Sequence, residues 1–214
     1  MRTVLLAAAA IALSGLPAQA EAWKGPYLGA QLGDTFGDAS QPYGGIGGPL
    51  VSSQRGVKLS SVNAGGHIGY DHPFEDFVVG ALVDYNFTSL EGDDAGSGGD
   101  LNGVEIDEII TVRARGGWRF STGSMVYATA GGAWMQGEAT APLQRVDADF
   151  SGYTYGLGVE FTVGENATIG FEWRRFEFDR ERVSFPLENY DEGIDPELDT
   201  VQIHLNYYLS DLMP

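Results

Sequence analysis

Few side chains in this chain are equipped for chemistry, and their spacing narrows what they can do. Histidines stand at positions 67, 72 and 204, and Ser52, Ser53, Ser60 and Ser61 supply hydroxyls. There is no cysteine, which excludes disulfides, thiolate metal sites and a thiol nucleophile. A serine nucleophile needs its base within hydrogen-bond reach, and no histidine falls at the level of these serines once the strands below are laid out. His67 and His204 are too few, and lack the motif spacing, for a zinc site. Two stretches are rich in carboxylates: Glu91, Asp93, Asp94, Asp100, Glu105, Asp107 and Glu108, then Glu188, Asp191, Glu192, Asp195, Glu197 and Asp199. Neither has the ligand spacing of an EF-hand, so they read as a solvated acidic surface able to share divalent cations with an anionic neighbour. The remaining set is Asp84, Glu160 and Glu172 with Arg113, Arg115 and Arg174. Three acids and three arginines on the polar phase of alternating segments suit a buried network, because buried charges must be paired.

Segments of period-two alternation carry these residues, as strands do. Eight are legible: Pro26–Gly33, Val62–Tyr70, Phe77–Phe87, Ile110–Phe120, Met125–Trp134, Tyr153–Phe161, Thr168–Arg174 and Thr200–Leu209. One face of each is apolar and free of charge. The other holds small residues plus Gln31, Asn63, His67, Asp84, Thr111, Arg113, Arg115, Glu160, Glu172, Arg174, Gln202, His204 and Asn206. Connections alternate between short (Asp71–Asp76, Ser121–Ser124, Gly164–Ala167) and long (Asp34–Leu59, Leu90–Glu108, Gln136–Phe150, Glu177–Asp199). His72 falls in the first short turn. The last strand has a free apolar edge, a hazard unless paired, and its available partner is Tyr27–Gly33.

An eight-stranded barrel is just wide enough to be filled by side chains, so the polar face turns inward and the apolar face meets lipid. Tyr70, Tyr85, Trp118, Trp134, Phe161, Trp173 and Tyr207 sort to strand ends, as two aromatic girdles do. The fold class is therefore all-β: an eight-stranded antiparallel up-and-down transmembrane β-barrel with short periplasmic turns and long extracellular loops. Met1-Arg2, the apolar run Val4–Leu13 and the Ala18-Gln19-Ala20 site predict a signal peptide over residues 1–20. The barrel domain then covers residues 21–214, with the barrel proper at about 23–209. A formal charge of -18 argues against nucleic acid, whose phosphates need clustered Lys and Arg.

In order along the chain, Trp23-Lys24-Gly25-Pro26-Tyr27-Leu28-Gly29-Ala30-Gln31-Leu32-Gly33, Thr111–Arg115, Tyr127–Ala133, Tyr155–Glu160, Phe171–Arg174 and Leu205–Tyr208 resemble the small Gram-negative outer-membrane β-barrel family, the porin-like or opacity-type outer membrane protein β-barrel domain. The resemblance implies a monomeric barrel in the cell outer membrane after Sec-dependent export. It implies insertion by the outer-membrane assembly machinery and no catalysis. From the apolar face and the acidic stretches, the expected partners are outer-membrane lipid and lipopolysaccharide, and no cofactor is expected. The chain departs from the family pattern at its end: Tyr207 and Leu209 stand where a terminal aromatic pair is usual, and Ser210–Pro214 follow. The functional expectation is a structural or envelope role with acidic surface loops. The alternatives are a narrow porin-like channel for small solutes and a lipid-modifying outer-membrane enzyme.

Overall fold

A computed structural model describes residues 23–40, 42–50, 56–93, 103–121, 123–141, 143–187 and 189–209. The predicted signal peptide and the tail Ser210–Pro214 lie outside the described residues. The described chain is all β: β1 (Gly25–Ser40), β2 (Tyr43–Gly45), β3 (Gly56–Phe74), β4 (Phe77–Asp93), β5 (Gly103–Ser121), β6 (Ser124–Ala141), β7 (Gln144–Thr162), β8 (Ala167–Phe178), β9 (Glu181–Phe185) and β10 (Tyr190–Tyr208). Eight of these form an antiparallel ring in the order β1-β3-β4-β5-β6-β7-β8-β10, and β10 returns to β1. The closing ladder runs from Tyr27↔Tyr208 to Ser40↔Asp195. It includes the whole of Tyr27–Gly33, and the amide of Leu209 adds a bond to the carbonyl of Pro26 at 2.9 Å. Both edges of the sheet are thus consumed by closure. The short strands β2 and β9 pair with the loop end of β10.

The strands run well beyond the segments read from sequence. The stretches Asp34–Leu59, Leu90–Glu108, Gln136–Phe150 and Glu177–Asp199, expected as long loops, are largely ladder. The third is a hairpin, with β6 paired to β7 out to Ala141↔Gln144. The reason is an inversion of polarity along each strand. In the middle of the barrel the exposed face is apolar: Leu32, Val83, Val112, Leu157, Ile203 and Leu205 point outward. Toward the loop end the alternation continues with the faces exchanged. Leu59, Ile106, Met135, Phe150, Phe176 and Leu198 point inward and are buried, while Asp38, Asp147, Asp149 and Glu197 point outward. A strand crossing a bilayer needs about 9–11 residues, and β3, β5, β7 and β10 have 19 each. The excess emerges from the apolar belt and folds as a soluble barrel does, apolar inside and polar outside. Among the described residues this produces one apolar cluster at the loop end and a second at the turn end, formed by Trp23, Tyr27, Val78, Leu82, Met125, Tyr127 and Tyr208.

The first short turn is tighter than expected. β3 continues through His72 to Phe74, and only Glu75 and Asp76 separate it from β4. His72, expected in that turn, is an exposed strand residue with its ring edge against Phe74 at 4.5 Å.

Candidate functional site

Between the two apolar clusters lies a polar layer fed by inward positions of all eight barrel strands. At its loop side Asp84 accepts from Arg113 Nε at 3.0 Å, Arg174 NH1 at 2.7 Å, Asn86 at 2.9 Å and the Thr111 hydroxyl. In the middle Glu172 accepts from Arg113 NH1 at 2.5 Å and the Tyr127 hydroxyl at 3.1 Å, with Arg174 Nε at 3.7 Å. At its turn side Glu160 accepts from Arg115 NH1 at 2.7 Å, Trp23 Nε1 at 2.8 Å, the Thr168 hydroxyl at 2.6 Å and Asn206 Nδ2 at 3.2 Å. Arg115 NH2 also meets Asp71 at 2.6 Å, and the Tyr208 hydroxyl donates to the same carboxylate oxygen at 2.7 Å. The structure therefore places Asp84, Arg113, Arg115, Glu160, Glu172 and Arg174 in one buried network.

Asp71 is a fourth acid in this network that sequence reasoning missed. The alternation places it in a short turn, but β3 continues and buries it. The available signal was phase: Asp71 continues the inward set Asn63, His67. Trp23 lies before any alternating segment, and its indole is also part of the network. Four acids and three arginines thus meet in this layer.

The rings in this layer need space that neighbouring glycines provide. A Cβ at Gly29 would run into the His67 ring and sit 2.7 Å from Asn206 Oδ1. Gly69 and Gly158 likewise make room for Tyr27 and Tyr127. Arg115 stacks over both phenols, 5.6 Å from Tyr27 and 5.0 Å from Tyr127. What remains open at the centre is a cavity of about 10 Å³ between Tyr27, His67, Arg113, Arg115, Glu172 and His204, room for about one water.

On the outside, Tyr70, Trp118, Trp134, Trp173 and Tyr207 are exposed, and Tyr85 and Phe161 are half-buried. The girdle tyrosines at the loop end are tethered: Tyr85 donates to Glu108, and Tyr153 and Tyr155 both donate to Glu177. Much of the acidity expected in loops is carried by strands and is paired. Arg175 joins Glu197 and Asp199, and Arg180 meets Asp195 at 2.6 Å. Asp191, at the loop-end start of β10, accepts from the Gly47 amide at 2.9 Å and from Arg182 at 3.2 Å. The Gly47 amide, with Ser184 and Arg182, holds its carboxyl below the usual range. Asp94, Asp100 and Glu188 lie outside the described residues, as do Ser52 and Ser53. Among the described residues, no group of three or more His, Asp or Glu side chains is placed to hold a metal. The Ser61 hydroxyl donates to the Val62 carbonyl at 3.1 Å, and His67 and His204 face amides and Glu160.

The family model of the outer membrane protein beta-barrel domain matches residues 4–208. No curated protein matches the sequence. Among solved structures, the outer membrane protein OprG from Pseudomonas aeruginosa superposes with a TM-score of 0.59 at 13% identity, covering 86% of this chain and 97% of that one. Neisserial surface protein A superposes with a TM-score of 0.51 at 12% identity, covering 87% of this chain and 98% of that one. At such identities the likeness is one of fold.

Proposed function

The chain belongs to the outer membrane protein beta-barrel domain family, and we propose that this member is a non-conducting, non-catalytic envelope protein. The observation that carries the reading is the filling of the interior. A cross-linked charged layer lies between an aromatic floor and an apolar cap, and the space left at its centre is about 10 Å³. A hydrated ion has no path through such a stack unless buried pairs separate, which is costly. Planar-bilayer recording of the purified protein is the test, and no conductance steps are expected. Reproducible steps that change on substituting Arg113 or Arg115 would overturn the reading in favour of a narrow channel for small solutes.

The lipid-modifying alternative has less support, because the ring nitrogens of His67 meet the amides of Gln31 and Asn206 and His204 Nε2 meets Glu160, not a serine hydroxyl. Acyl release from phospholipid or lipopolysaccharide that disappears on changing His67 or His204 would revive it. The protein's partners are outer-membrane lipid around the apolar belt, and lipopolysaccharide around the acidic wall above it through shared divalent cations. If Mg²⁺ and Ca²⁺ left thermal stability in detergent unchanged, the cation link would be dropped. Membership of the family supports, as part of this reading, export by the Sec route and insertion by the outer-membrane assembly machinery. Closure of β1 on β10 leaves no free edge in the ring, which favours a monomer.

A further inference from the structure

His67 lies where first and last strands meet. It stands on β3, directly across from Gly29 of β1, and Gly29 in turn is the cross-strand partner of Asn206 on β10. Because Gly29 has no side chain, the imidazole lies across β1 and touches both neighbours. Its Nδ1 is 3.0 Å from Gln31 Oε1, and its Nε2 is 2.6 Å from Asn206 Oδ1.

Both contacts are to carbonyl oxygens, and neither amide is free to turn over. Asn206 Nδ2 donates to Glu160 Oε1 at 3.2 Å. Turning this amide would set its oxygen against a carboxylate, which only accepts. On the other side Gln31 Nε2 donates to Asn86 Oδ1 at 2.5 Å, and Asn86 Nδ2 donates to Asp84 at 2.9 Å. Turning Gln31 would force Asn86 to turn, and Asn86 would then present its oxygen to Asp84. Each chain of amides is thus polarised by a buried carboxylate at its far end, and each ends on His67 with an acceptor. A neutral imidazole has one N–H, whereas the cation has two.

We infer that His67 is the fourth cation of the polar layer, an imidazolium donating from both ring nitrogens and acting as a proton-held latch across the β3–β1–β10 seam. Asp71, Asp84, Glu160 and Glu172 lie in the same layer, in contact with Arg113, Arg115 and Arg174. His204 lies beside Glu160, with Nε2 3.4 Å from Oε2. Of the charged and titratable groups around His67, Asp84 is its direct partner on β4 and favours the cation. Glu160 on β7 acts through Asn206, and Glu172 on β8 lines the same central cavity. Arg113 and Arg115 on β5 oppose the cation, but each is already matched by carboxylates. Tyr27 on β1 and His204 on β10 present ring edges at 5.9 and 6.1 Å.

The test is nitrogen-15 NMR of histidine-labelled, folded protein in micelles at about pH 7.5, roughly one unit above the ordinary imidazole value. With three histidines in the chain, His72→Gln and His204→Gln identify the His67 signals by elimination. Both ring nitrogens of His67 are expected to carry protons. One protonated and one bare nitrogen would overturn the inference. A second readout is the melting of the heat-modifiable form as pH rises from about 7.5 to about 9.5. The parent should lose roughly 2–4 °C or more beyond any loss in His67→Gln, because alkali removes the proton that holds the seam. Parallel curves for parent and variant would also overturn it, and if the variant does not fold, the NMR result decides.

Discussion

Replacing Arg113 by methionine distinguishes a closed ion-pair network from a lumen of solvated charges. Arg113 is 2% exposed, and its guanidinium meets Asp84 at 3.0 Å, Glu172 at 2.5 Å and the Thr129 hydroxyl at 3.0 Å. Methionine keeps much of the stem's packing but removes the charge. Asp84 retains Arg174 at 2.7 Å. Glu172 is left with Arg174 Nε at 3.7 Å and the Tyr127 hydroxyl. Breaking a buried pair by deleting one partner costs about 3–5 kcal/mol, because the other charge stays desolvated. For a chain of this size 1 kcal/mol moves the midpoint by about 2–4 °C, so a drop of roughly 6–20 °C is expected. The assay is the temperature at which unboiled protein shifts to the boiled mobility on SDS gels, checked by circular dichroism in detergent. Arg145→Met breaks a pair with Glu138 in which Arg145 is 65% exposed, and should cost under about 1 kcal/mol. Arg113→Met combined with Glu172→Leu should recover part of the single-variant loss, since no carboxylate then lacks its cation. A single-variant cost within about 1 kcal/mol of the parent would refute the closed network. A double variant no better than the sum of the two singles would refute the coupling.

Four further outcomes are expected. Ile203→Arg places a charge on the outward face in the middle of the apolar belt and should cost about 2–4 kcal/mol, measured by folding into lipid vesicles. Phe176→Ala, under the loop-end cap and stacked on Phe178 at 6.0 Å, should cost about 3–5 kcal/mol; a smaller effect by thermal melting would show that the cap does not bear on barrel stability. Asp191 is held below its unfolded value by the Gly47 amide. Its stabilisation is therefore complete above the unfolded value and lost as pH falls through the folded one. Proteolysis of the β2 region should rise with acid in the parent and lose that dependence in Asp191→Asn. Tyr207→Asp should block membrane assembly, whereas deleting Ser210–Pro214 should leave it intact, both read by heat-modifiability of outer-membrane fractions.

Much of this protein is determined by local alternation. Val201, Ile203, Leu205 and Tyr207 against Gln202, His204 and Asn206 suffice to identify a strand with one lipid face, because side-chain direction in a strand depends on parity alone. The free edge of that strand points to Tyr27–Gly33 as its closing partner, and parity puts three acids and three arginines on the inner face. Parity does not reveal where a strand stops. Leu198 and Phe150 are apolar on the inward phase, so a search for outward apolar residues reads their neighbourhoods as loop, although the ladder continues there. Nor does it pair residues that lie far apart along the ring. Arg113 on β5 reaches Glu172 on β8, and Arg174 on β8 reaches Asp84 on β4. Those contacts exist because closure curves the sheet until long side chains from opposite walls meet at the axis. Burial of Asp71, the fourth acid, is decided the same way: β3 extends past the expected turn and turns its carboxylate toward Arg115 and Tyr208. The sequence supplied the charges and their facing, and the closed ring alone chose their partners.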